Sequence, residues 1–517
     1  MRSGGGVGPH RRWRAILACA LALGSCTKGT PGKRLASGLA RDLTVAPGGG
    51  LVAFLQGAAH PGDRSIPADL LVGDLQLAPT SGDRPAERVG GGVPTLPGAW
   101  SFSTGGEWLA LLAAWRFRAG EGELWLATSP GAPRKVADGV SSMVWGPSGA
   151  MLAFVAQGRL MVLDASKEPA APSLVLDGVQ SFAWSPEGKR LAGRASTVGG
   201  GRVDLVQVPG GRPREVAQAS SDFAFGAEGE LYVLGVPGPK GGDRPLIVLG
   251  TADARPREIG RATSFASWGK DVALLSTEKQ PGEAFGSLSR VPRSGGPAQA
   301  LGERVSEFRF GQRGDLVFLA RYDPRARAGT LMVAPPGGGP QRAIAQKVQS
   351  FLVQGARVLY LEQAPQKGDF KIELWTAQLD SPAAPRKVDE GVYGYQLAPD
   401  GQQLFWKARC AGGPRSCSLF RGPLDGSAPA QLFAPDVAGF ELSDDASRIL
   451  VEQPHRGAAR AVDLAVIAAD APPREEPPRP VAVEVDPTSR FTDPRGRRIV
   501  YAAMAAAQAG VYVLDVP

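Results

Sequence analysis

Trp184-Ser185-Pro186-Glu187-Gly188 is the stretch that decides how this chain is read. An apolar run, Phe182-Ala183-Trp184, leads into it, and a second, Leu191-Ala192, follows two residues after it. Proline presets the entry of a tight turn, and glycine supplies the positive φ that such turns need. Alternation along the strand puts Phe182 and Trp184 on one face. The segment therefore reads as a β-hairpin whose aromatics face a core.

The same pattern recurs along nearly the whole chain. Ser142 to Asp164 is a clear second copy, with Met143-Val144-Trp145, a turn at Pro147-Ser148-Gly149, and two further apolar runs. Eleven such openings occur: Leu43-Thr44-Val45, Trp100-Ser101-Phe102, Met143-Val144-Trp145, Phe182-Ala183-Trp184, Phe223-Ala224-Phe225, Phe265-Ala266-Ser267, Phe308-Arg309-Phe310, Phe351-Leu352-Val353, Tyr395-Gln396-Leu397, Phe440-Glu441-Leu442 and Arg490-Phe491-Thr492. Most lie about 40–45 residues apart, the length of one four-stranded blade of an all-β propeller. A second phase marker supports this. Pro133-Arg134-Lys135-Val136, Pro213-Arg214-Glu215-Val216, Pro256-Arg257-Glu258-Ile259 and Pro385-Arg386-Lys387-Val388 fall at matching places and read as fourth strands. Rings usually hold four to eight blades, so eleven units suggest two propellers in tandem, 41–262 and 263–517, with one large ring as the alternative. Gly73 to Pro97 and the proline-rich Pro472 to Pro480 read as rim loops or a linker.

Composition agrees with this class. The 517 residues include 69 Gly and 45 Pro, which favour turns over long helices. Hydrophobic residues make up 43%, enough for a buried core rather than a disordered chain. The formal charge is +8. No basic stripe interleaved with aromatics appears, so a nucleic-acid partner is not expected. The positive balance is ascribed to arginine usage.

The amino terminus speaks to compartment. Arg11, Arg12 and Arg14 precede a short apolar run, Ala15 to Leu23, too short to span a bilayer and typical of a secretory leader. Leu23-Gly24-Ser25-Cys26 resembles the bacterial lipobox. That resemblance implies removal of residues 1–25, a lipid on Cys26, and a membrane association through that lipid. Thr27 in place of Asp implies, by the same resemblance, the outer membrane facing the periplasm. Residues 26–40 read as a flexible tether. Cys410 and Cys417, an even pair in an exported chain, read as a disulfide, with two free thiols as the alternative.

Trp184-Ser185-Pro186-Glu187-Gly188-Lys189-Arg190-Leu191-Ala192 also resembles the WD-like repeat of TolB-type propellers, over residues 41 to 517. Proteins of that type are periplasmic and bind protein partners of the cell envelope. The resemblance therefore implies a lipid-anchored scaffold for envelope proteins. A glycan- or peptidoglycan-binding module is the second reading, with Trp115 and Trp406 as candidate platforms. A propeller-based lyase or hydrolase is the third and least supported. The sequence has no Gly-x-Ser-x-Gly elbow, phosphate loop or His-Glu-x-x-His. Outside the leader it has only His60 and His455, so neither an enzyme, a metal nor a cofactor is expected. His60, in Ala59-His60-Pro61-Gly62-Asp63-Arg64, reads as a solvated loop.

Overall fold

A computed structural model describes residues 32–516 except 129–130, 168–170, 198–199, 239–241, 252–254, 278–284, 365–370, 412, 426, 458–459, 494 and 506–507. Cys26 and the leader lie outside the described residues.

The described residues form antiparallel strands in four seven-stranded and three four-stranded sheets. Each seven-stranded sheet is two blades sharing one long strand: Arg134–Trp145, Arg214–Phe225, Arg342–Gln354 or Ala482–Thr492. The early half of such a strand is the fourth strand of one blade, and its late half is the first strand of the next. The sheets thus resolve into eleven four-stranded blades. All eleven sequence openings lie in first strands, and the Pro-Arg segments begin fourth strands. First strands of neighbouring blades touch one another, which places them around a central axis.

Packing closes this series into one ring. Eleven hydrophobic clusters occupy the eleven interfaces between consecutive blades. The cluster of Tyr232, Leu246, Val248, Ala262, Val272 and Leu274 joins blade 5 to blade 6. The cluster of Leu35, Val500, Val511, Val513, Val52 and Phe54 joins blade 11 back to blade 1. The expected division into 41–262 and 263–517 would cut through the former, so the single large ring is the arrangement found. Phe54, Phe154, Phe318, Tyr360 and Trp406 take one equivalent position in five second strands, each at most 1% exposed. Burying one such side chain stabilises the fold by about 1.5–3 kcal/mol.

Two further expectations change, and Pro472 to Pro480 takes the rim-loop alternative. Residues 26–40 are not a tether throughout, because Lys33–Ser37 is a strand. It pairs antiparallel with Gly510–Asp515 and becomes the fourth strand of blade 11. Gly73 to Pro97 mostly supplies two strands of blade 1, Val72–Pro79 and Glu87–Pro94. Pro472 to Pro480 lies in the turn between the third and fourth strands of blade 10 rather than between blades.

The two faces of the ring differ. One face carries the turns between first and second strands and between third and fourth strands; Trp184 to Gly188 lies there, and we call it the turn face. The opposite face carries the other loops and the crossovers between blades. Fourth strands approach the crossover through a left-handed residue, such as Gly92, Gly139, Ala219, Lys347 or Glu484. Recurrence at one phase marks these bulges as architecture that redirects the chain toward the axis.

Candidate functional site

The motif that opened the sequence has a mechanical role. Ser185 is fully buried, and its hydroxyl accepts the Arg190 N–H at 3.0 Å, tying the base of the turn. Ser103, Ser443 and Asp493 do the same in blades 2, 10 and 11. The Trp184 indole donates to the Val144 carbonyl of blade 3 at 3.2 Å, and Trp145 donates to Ser101 of blade 2 at 2.9 Å. These rings lock each first strand to its predecessor.

Arginines lock the turn face in the opposite direction. Arg134 donates to the Ala165 carbonyl at 3.2 Å, Arg290 to Pro335 at 2.7 Å, Arg342 to Gln378 at 3.0 Å and Arg448 to Val516 at 3.1 Å. Each runs from one blade to the next, and Arg498 continues the series from blade 11 to Thr80 of blade 1. Each bond contributes on the order of 1 kcal/mol. A carbonyl partner neutralises no charge, but Arg290 and Arg498 also have carboxylates, Asp271 at 4.0 Å and Asp515 at 2.8 Å.

The charge concentrates over blades 4 to 6. A cleft of about 500 Å³ there is lined by Glu187, Lys189, Arg190, Arg212, Arg214 and the apolar Leu205, Val208 and Leu249. A second, of about 440 Å³, is lined by Glu228, Glu230, Arg257, Lys270, Arg293 and Ser294. Both are bordered by Gly250 and Thr251, so the two clefts adjoin, and together we call them the groove. Turns from three successive blades build it. Among the described residues, its walls hold seven cationic side chains against three carboxylates.

Part of that set is fixed. Arg190 reaches Glu187 at 2.7 Å and the Gly229 carbonyl of blade 5. Gly229 has φ +84°, which favours glycine, and a Cβ there would stand 2.7 Å from the Arg190 guanidinium and push it aside. Burial opposes ionisation of Glu187, yet the Arg190 hydrogen bond holds its carboxyl below the usual value. Arg293 reaches Glu228 at 2.9 Å and Glu230 at 3.1 Å. Glu230 is 4% exposed and also accepts the Tyr232 hydroxyl, whose pKa burial pushes up to about 12. The other Glu230 oxygen is buried with no partner, which costs on the order of 1–3 kcal/mol.

Arg257 donates to the Ser294 carbonyl, and three other cations of the set are unengaged. Lys189, Arg212 and Lys270 are exposed and, among the described residues, meet no carboxylate. The corresponding cleft over blades 7 to 9, of about 460 Å³, has one Arg357 against Asp400 and Asp425, with Gln312, Gln354 and Gln402. The basic character therefore belongs to blades 4 to 6 and not to the fold.

The residues singled out from sequence lie elsewhere. The Cys410 and Cys417 sulfurs are 1.98 Å apart, bridging the loop between the second and third strands of blade 9. His60 lies in an exposed loop of blade 1, where it accepts the Gly62 N–H. Trp406 is 1% exposed, and Trp115 packs against the cluster between blades 2 and 3, so neither offers an open platform. His455 sits between Asp463 at 2.8 Å and Glu484 at 3.4 Å, an arrangement that sequence spacing did not reveal.

No family model and no curated protein matches the chain. Solved structures similar to it include a eukaryotic initiation factor, at 10% identity and TM-score 0.40, covering 76% of this chain and 93% of that one. The tricorn protease matches at 12% identity and TM-score 0.28, covering 92% and 57%. An oligogalacturonate lyase in complex with manganese matches at 12% identity and TM-score 0.30, covering 65% and 88%.

Proposed function

We propose that this chain is an exported scaffold, held to the bacterial outer membrane by a lipid on Cys26, whose propeller ring binds protein partners of the cell envelope without chemistry of its own. The observation that carries the reading is the position of the first strand. Lys33 begins the strand that closes blade 11, and it lies on the turn face, where its Nζ donates to the Ser81 carbonyl of blade 1 at 3.3 Å. Residues 27–32 separate it from Cys26, a reach of at most about 20–25 Å. A lipid there would hold the ring close to the bilayer by its rim. A bridged Cys410–Cys417 pair fits the same oxidising compartment.

Fractionation tests anchorage: Cys26→Ser should move the protein from the membrane pellet to the soluble fraction. Affinity capture of the lipidated protein from detergent extracts tests scaffolding. Recovery of no envelope protein above background would overturn it.

A further inference from the structure

The groove over blades 4 to 6 has a composition that selects among ligands. We infer that it is a docking site for an acidic segment of a partner polypeptide. This rests on the scaffold reading above and gives the partner a chemistry.

Three observations carry it. First, Lys189, Arg212 and Lys270 are exposed and uncommitted among the described residues, while Arg190 and Arg293 are held in place by neighbouring carboxylates. The floor is a fixed set of ion pairs, so the free cations on the walls are what is complementary to carboxylates. Second, the groove is concave and mixed in sign. Glu187, Glu228 and Glu230 interrupt the cations, which disfavours a flat anionic bilayer or a uniform polyphosphate. A peptide alternates carboxylates with N–H donors and can answer both signs. Third, Leu205, Val208 and Leu249 add apolar lining to one of the two clefts, and neither cleft is lined by an aromatic on which bases could stack.

The test uses the detergent-solubilised full-length protein and a fluorescein-labelled Glu/Asp-rich peptide, followed by fluorescence anisotropy. The wild type should bind at low salt and weaken as salt screens the charges. The variant Lys189→Glu/Arg212→Glu/Lys270→Glu should lose roughly tenfold or more in affinity. The neutral set Lys189→Gln/Arg212→Gln/Lys270→Gln should lose less and guards against misfolding, as does an unchanged melting curve. Arg321→Glu/Lys347→Glu, on the opposite face, should bind as the wild type does. The inference is overturned if the wild type ignores the peptide, or if charge reversal leaves binding unchanged. It is also overturned if phosphatidylglycerol-containing vesicles, and not the peptide, show the dependence on these residues. Loss of peptide binding with envelope capture intact would sink the inference alone. Failure of Cys26→Ser to release the protein would sink the anchorage and leave the peptide result standing.

Discussion

Blades 3 and 4 meet through aromatic rings, whereas blades 10 and 11 meet at the same place through ions. In the first pair, Phe182 and Trp184 fill the first strand of blade 4, and the Trp184 indole reaches the strand before it. In the second, Arg490 stands where most other blades have an aromatic. It donates to Glu452 at 2.7 Å and to Glu441 at 2.5 Å, with only 14% of its side chain exposed. Burial opposes its charge, but Glu452 and Glu441 hold the guanidinium pKa above its usual value. Next to them, Lys407 donates to the Ala438 carbonyl, and burial pulls its pKa down. One geometric slot thus accepts either a ring or a satisfied ion set. The ring needs only area, while the ions need every partner present.

That difference can be broken first at Arg490. Arg490→Ala strands Glu452, which is 13% exposed, and should cost about 3–5 kcal/mol in denaturant unfolding. A loss under about 1 kcal/mol would show that the ion set is ornamental. Converting the ionic seam to the apolar kind sharpens the comparison: Arg490→Phe with Glu452→Leu removes both charges together and should be close to neutral, within about 1–2 kcal/mol of wild type. A smaller change is expected at the aromatic seam. Trp184→Phe keeps most of the area but loses the bond to Val144, so it should cost on the order of 1 kcal/mol by the same measurement.

The smallest effect separates the turns of the two regions. The turn of blade 4 relies on Ser185, whereas that of blade 10 adds Asp445, which accepts from the Ser447 N–H, the Ser447 hydroxyl and the Ser443 hydroxyl. These bonds lower the Asp445 pKa to about 2. A carboxyl whose folded pKa lies below its unfolded value, near ~3.9, adds stability above that value and loses it as pH falls through about 2. Ser447→Ala should raise the Asp445 pKa in a carboxylate-resolved NMR titration and move acid unfolding to slightly higher pH. No movement would mean that the turn does not depend on the ionised carboxylate.

Sequence legibility follows range. The eleven openings and the Pro-Arg strands were readable because alternation and turn chemistry are local. The size of the ring was not, because it depends on Leu35 meeting Val511 and Val513 at the other end of the chain. Lys33–Ser37 looked like tether because five residues, two of them cationic, carry no strand pattern until Gly510–Asp515 supplies a partner. The groove was hidden for a related reason. Lys189, Arg212 and Lys270 are scattered along the sequence and come together only through turns of successive blades. Arg490 was recognised as an opening, but nothing nearby in sequence announces Glu441 and Glu452 as its partners.

The closing strand also sets an order in time. Among the described strands, Lys33–Ser37 is synthesised first and its partner Gly510–Asp515 last. Blades can stack on their predecessors as the chain grows, but at roughly 5–20 residues per second the first strand waits about half a minute to a minute and a half for its mate. During that wait blade 1 shows an uncovered apolar flank at Val52 and Phe54. When Gly510–Asp515 arrives it would otherwise be an open sheet edge, the kind that recruits other chains. Ring closure is therefore a single late event, and a chain truncated even slightly at its carboxyl end would keep both surfaces exposed.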